Sequence, residues 1–171
     1  LDLSDQNGKA RQLTEGKWEI SSAGLSQDGK TFYLTTTEAH PGVRHLYALA
    51  VDGGARTKIT SMVGSNQAEV SPDDSSLGLI YSYSNKPPEV FVMPNRQGAR
   101  AKQVTARPTA EWRSFAWIDP QVITFPARDG APVHARLFTP EMIGAKRDPS
   151  RPGVVFVHGA GAGVGPTWFE P

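Results

Sequence analysis

The sequence predicts a mainly β protein: about two blades of a β-propeller, running into the opening of a buried α/β sheet. Three observations carry this. A pattern repeats with a period near 45 residues, the C-terminal strands change from alternating to continuously apolar, and a glycine-rich run follows the last of them. The 17 glycines and 14 prolines favour many turns and short strands over long helices.

Ser26-Gln27-Asp28-Gly29 is answered by Ser71-Pro72-Asp73-Asp74, 45 positions later. Such a segment is a turn, because Asp bonds its own backbone and Gly takes positive φ. Phe32-Tyr33-Leu34 falls near Leu77-Gly78-Leu79-Ile80, an apolar run expected to be covered by neighbouring blades. A polar hairpin loop is expected next, Thr36 to Arg44 in one copy and Ser84 to Pro88 in the other. His45-Leu46-Tyr47-Ala48-Leu49 then matches Glu89-Val90-Phe91-Val92-Met93. A second turn follows, and a short edge strand ends in Thr at Lys58-Ile59-Thr60 and Gln103-Val104-Thr105, with a further copy of that ending at Gln12-Leu13-Thr14. Four strands per unit is the number a blade needs. A plain antiparallel sandwich would also use such runs and is the alternative; three features repeating in one register favour the propeller. Two blades and the tail of a third cannot close a ring of roughly four to eight, so the chain is expected to be a piece of something longer.

Periodicity stops after Thr105. Arg107 to Ile118 reads as a connector whose Trp112, Phe115 and Trp117 pack the propeller's end. A hairpin follows: Val122 to Phe125, the turn Asp129-Gly130, and the alternating return Val133 to Phe138. Glu141 to Pro152 reads as a surface loop. Val154-Val155-Phe156-Val157 does not alternate, and a strand apolar on both faces is expected at the centre of an α/β sheet. The predicted division is 1–118 for the propeller blades and 119–171 for the start of the second domain.

His158-Gly159 stands at the carboxyl end of that strand, where open α/β sheets bind ligands. A dinucleotide fingerprint fails, because its last glycine position falls on Val164 or Pro166. A Walker loop fails because no lysine follows Lys146. Two readings remain. One is an oxyanion hole, in which bare backbone N–H groups face a developing alkoxide and side chains would block the approach. The other is an ordinary glycine turn with His158 capping or packing.

Taken together, "SQDGK" and "SPDDS" in blade-like repeats, "VITFPARDGAPVHARLFTP" and "RPGVVFVHGAG" resemble the prolyl oligopeptidase family of serine peptidases, especially its dipeptidyl peptidase IV and acylaminoacyl peptidase branches. The resemblance covers essentially the whole chain. It implies a propeller capping an α/β-hydrolase domain, screening access so that short peptides are the substrates of a serine acyl-enzyme. It needs no cofactor. It also implies that His158 and Gly159 lie near the oxyanion; several branches carry a tyrosine where His158 stands, and the family's His-Gly-Gly-Pro is altered here to His158-Gly159-Ala160-Gly161. Dipeptidyl peptidases grip the substrate amine with paired acidic residues on the propeller. No matching Glu-Glu pair occurs here, so aminodipeptidase, oligopeptidase and acylpeptide hydrolase all stay open.

The catalytic Ser, Asp and His are expected downstream, since no G-x-S-x-G occurs in the chain. Ser26 and Ser71 read as turn residues, and Ser61 and Ser65 lie between blades. His40, His45 and His134 read as exposed or satisfied histidines, with no metal-ligand spacing. The 171 residues alone are therefore expected to be inactive, and the uncovered apolar strand to promote aggregation or disorder after about residue 118. The alternative is a non-catalytic propeller that binds a peptide or protein partner. Net charge is +1, giving no strong pull toward nucleic acid or a membrane surface, and no apolar run reaches membrane-spanning length. Cysteine is absent, which excludes disulfides and thiolate chemistry. A short peptide is the expected partner, with self-association of a full-length parent left open.

Overall fold

The structure, a computed structural model, describes residues 11–157. Ten strands, a one-turn helix and a 3-10 turn make up its regular elements. The first four strands are β1 (Ile20–Leu25), β2 (Thr31–His40), β3 (Val43–Ala50) and β4 (Thr57–Lys58). They pair in sequence order, every pair antiparallel. The next four repeat the plan: β5 (Ser65–Val70), β6 (Ser76–Tyr83), β7 (Lys86–Pro94) and β8 (Lys102–Gln103). These are two four-stranded propeller blades, and the edge strand of each is only two residues long.

Local chemistry explains the repeat. Ser26 Oγ donates to Asp28 at 2.7 Å and accepts from the Thr31 amide at 2.9 Å. Ser71 Oγ likewise donates to Asp73 at 2.5 Å and accepts from the Ser76 amide at 3.0 Å. Gly29 takes φ 71° in the first turn, and Asp74 takes φ 57° at the matching place in the second. Asp tolerates this left-handed conformation better than most residues, because its short polar side chain bonds locally. The closing threonines are equivalent too. Thr60 Oγ1 accepts from the Leu46 amide at 3.0 Å, and Thr105 Oγ1 accepts from the Val90 amide at 2.8 Å.

Strand pairing corrects the expected loop from Thr36 to Arg44. β2 runs on to His40 and β3 begins at Val43, leaving Pro41-Gly42 as the turn. Thr35, Thr36 and Thr37 are buried, because β1 lies alongside and the Thr37 hydroxyl accepts from the Glu19 amide at 3.0 Å. A threonine run satisfied in this way is good strand sequence, and polarity alone misreads it. The second loop is also shorter than expected, with only Ser84 and Asn85 between β6 and β7. At Gln12-Leu13-Thr14 no strand forms, and among the described residues none lies beside it to pair with.

The blades face each other through one apolar core. Leu46 and Ile59 come from the first, and Leu77, Leu79, Met93 and Ala99 from the second, all nearly inaccessible. Each large side chain buried in this way contributes about 1.5–3 kcal/mol. Hydrogen bonds join the blades at both ends. Asn95 donates to the Tyr33 hydroxyl at 2.8 Å, and Asp74 accepts from the Gln27 amide at 2.8 Å. At the opposite end Arg44 pairs in parallel with Ser65, and its amide donates to Gly64 O at 3.0 Å. Gly64 takes φ 134°, and a Cβ there would lie 2.3 Å from Ser82 O, so a side chain is sterically excluded.

After the blades come helix α1 (Ala110–Ser114), capped by Thr109, and a hairpin of β9 (Gln121–Pro126) and β10 (Pro132–Leu137). Gly130 at φ 85° and the Asp129 side chain, which accepts from the Ala131 amide at 3.0 Å, make its turn. The segment beyond is exposed and includes a 3-10 turn at Pro140–Ile143. Val154-Val155-Phe156-Val157 departs from the expected buried strand. Among the described residues it pairs with nothing, and these four residues are 83 to 98 % exposed. A central parallel strand needs strands on both sides and helices on both faces, and the described residues supply neither.

Candidate functional site

The residues with most chemistry gather where the β2–β3 and β6–β7 hairpin tips meet the segment after the blades. A cavity of about 240 Å³ lies at the β6–β7 side, between the second blade and α1. Tyr81, Pro87 and Phe91 of the second blade form one wall, and Trp112 and Arg113 of α1 another. Alternation on β6 and β7 turns Tyr81, Glu89 and Phe91 to the same side, and Tyr81 and Phe91 meet edge to face at 5.5 Å. Trp112 is held by Trp117, which stacks on it at 4.8 Å and donates its indole N–H to Trp112 O at 2.8 Å. The connector aromatics thus pack mainly on one another, and Trp112 also closes the cavity.

Glu89 is a buried carboxylate in the cavity's lining, only 7 % exposed. One oxygen accepts from the Arg107 amide at 2.6 Å and the other pairs with the Thr105 hydroxyl. Both are committed to fixing where the chain leaves the blade, so the notch is built to hold structure rather than to transfer protons. Burial, followed by the neighbouring Asp119 carboxylate, pushes the Tyr83 phenol up. That places the β6–β7 tip against the connector as well.

The histidines separate into two kinds. His45 is buried and hydrogen-bonded to the Thr60 hydroxyl at 3.1 Å. Burial first, then Lys58, lowers its pKa to about 4. His40, at the end of β2, meets His134 of β10 with ring centroids 4.8 Å apart. Nothing in the spacing of residues 40 and 134 signals that contact, because it joins two modules through a turn and a hairpin. Among the described residues no three His, Cys, Asp or Glu side chains gather as a metal site. His158 and Gly159, the predicted oxyanion residues, lie outside the described residues.

The turn serines have their hydroxyls engaged. Ser26 and Ser71 bond aspartates and backbone amides of their own turns. Those contacts hold Asp73 at about 2, the Ser71 and Ser75 hydroxyls contributing most. The arrangement is an Asp-stabilised turn, with no histidine within it.

Comparison with known proteins adds two findings. Residues 2–88, just over half of the chain, match the family described as "Dipeptidyl peptidase IV (DPP IV) N-terminal region". Among solved structures, that of Porphyromonas gingivalis dipeptidyl peptidase 4 is similar, with a TM-score of 0.60 and 20% sequence identity. The similarity covers 77% of this chain and 19% of that one, so the chain spans about a fifth of the length of the protein it matches.

Proposed function

The chain belongs to the dipeptidyl peptidase IV family, and we propose that it forms propeller blades and the first strands of the catalytic domain in a serine peptidase of short peptides. The observation supporting this is the path of the chain. Two firmly joined blades present their hairpin tips to a connector and a hairpin, and these lead straight to the Val154–Val157 run and His158-Gly159. In this reading residues 1–118 screen access, and residues 119–171 open an α/β-hydrolase sheet. Val154–Val157 becomes a central strand once its neighbours are present. The Gly159 amide, with the His158 ring or backbone, then faces the oxyanion formed when a serine outside these 171 residues attacks the scissile carbonyl.

The test compares 1–171 with a longer parent polypeptide extending through G-x-S-x-G and the downstream Asp and His. Dipeptidyl, oligopeptidyl and acylpeptidyl arylamides serve as substrates. The longer protein should hydrolyse at least one class, and 1–171 none above background. His158→Ala in the longer protein should lower kcat about 10²- to 10³-fold if the ring donates to the oxyanion. Turnover by 1–171 that disappears when one of its own serines is replaced would overturn the proposal.

A further inference from the structure

The His40–His134 contact joins two modules that chemistry can separate. The rings meet edge to face, at an interplanar angle of 69°. The Gly42 amide donates to His40 Nδ1 at 3.0 Å. A nitrogen that accepts carries no proton, so the docked His40 is neutral with its proton on Nε2. On the other side Thr124, paired across the hairpin, hydrogen-bonds His134 Nδ1 at 3.0 Å. Protonating His40 would place an N–H against the Gly42 N–H, turning the bond that shapes the turn into a repulsion.

We propose that His40 and His134 form a proton-released clasp, holding the β9–β10 hairpin against the first blade near neutral pH and freeing it in mild acid. Glu38 of β2 is taken up by Arg56 in two contacts of 2.8 and 2.9 Å, so it does not shield an imidazolium. Arg44 of β3 and Arg136 of β10 are the other charged side chains on the strands that meet here, and β9 has none. Burial first, then His134, holds the His40 pKa below its ordinary value of 6.5. A lowered histidine pKa means that the docked form disfavours the proton. Docking is complete above about pH 6.5 and weakens as pH falls below it, by up to tenfold per unit for one proton. The clasp is independent of the peptidase reading, because it concerns only the seating of the hairpin.

The experiment is amide hydrogen exchange of residues 121–137 in the full chain, corrected for the intrinsic pH dependence, from about pH 7.5 to about pH 5. The hairpin should lose protection several-fold per unit below about pH 6.5, while β6 and β7 keep theirs. His134→Phe keeps a ring in the contact but removes the neighbour that helps hold the His40 pKa down, so its loss of protection with falling pH should be smaller. Imidazole NMR titration of the unaltered chain should place His40 below about 6.5 and needs no variant to fold. Hairpin protection independent of pH, His40 titrating at or above about 6.5, or a His134→Phe profile identical to the original would each overturn the proposal.

Discussion

Replacing Asn66 should unseat the two blades from each other. Its side chain is fully buried, and its amide donates to Arg44 O at 2.9 Å and Met62 O at 2.7 Å, tying β5 to β3 and to the inter-blade link. Asn66→Ala leaves both carbonyls without that donor, at about 1–3 kcal/mol for each buried group left unsatisfied. It also removes Asn66 Oδ1, which is buried with no partner, so part of the cost is recovered. The net loss is about 2–4 kcal/mol. With a urea slope of about 2 kcal/mol per molar, the midpoint should fall by about 1–2 M. Equilibrium urea unfolding followed by tryptophan fluorescence measures this. The exposed neighbour Gln67→Ala serves as the control and should stay within about 0.5 kcal/mol. An Asn66→Ala midpoint indistinguishable from that control would refute the idea that these bonds join the blades.

Three other outcomes follow from the same geometry. The His45 pKa is lowered to about 4, so its neutral state contributes stability above about pH 6.5 that is lost as pH falls toward 4, on the order of 2 kcal/mol in all. Urea midpoints at pH values spanning that window should fall for the original chain and flatten in His45→Asn. Asp74→Asn should be nearly neutral in thermal melts, because Asn tolerates φ 57° and keeps an acceptor for the Gln27 amide; Asp74→Val should cost about 2 kcal/mol. The exposed run Val154–Val157 should drive association of the isolated chain, and Val155→Lys with Phe156→Lys should reduce it in sedimentation velocity at rising concentration.

Much of the fold was legible because the repeat carries its own punctuation. The Ser-x-Asp turns, the apolar β6 run and the closing threonines are local chemistry, and each stands where the 45-residue register puts it. Thr36 and Thr37 misled because threonine is polar by composition and a strand residue by shape; only pairing with β1 decides between the two. Asn66 was silent for a related reason, since its importance lies in carbonyls 4 and 22 residues away. The aromatic notch and the His40–His134 contact depend on where the connector folds back, and no period or motif encodes that. Val154–Val157 reads as a central strand, yet its burial depends on strands and helices that the described residues do not include.

Labelling the longer parent with a fluorophosphonate and mapping the modified peptide tests the central claim most directly. The account predicts one labelled serine, C-terminal to Pro171, with label and hydrolysis lost together when it is replaced. A labelled serine within Leu1–Pro171, or hydrolysis by a parent that takes up no label, would contradict it.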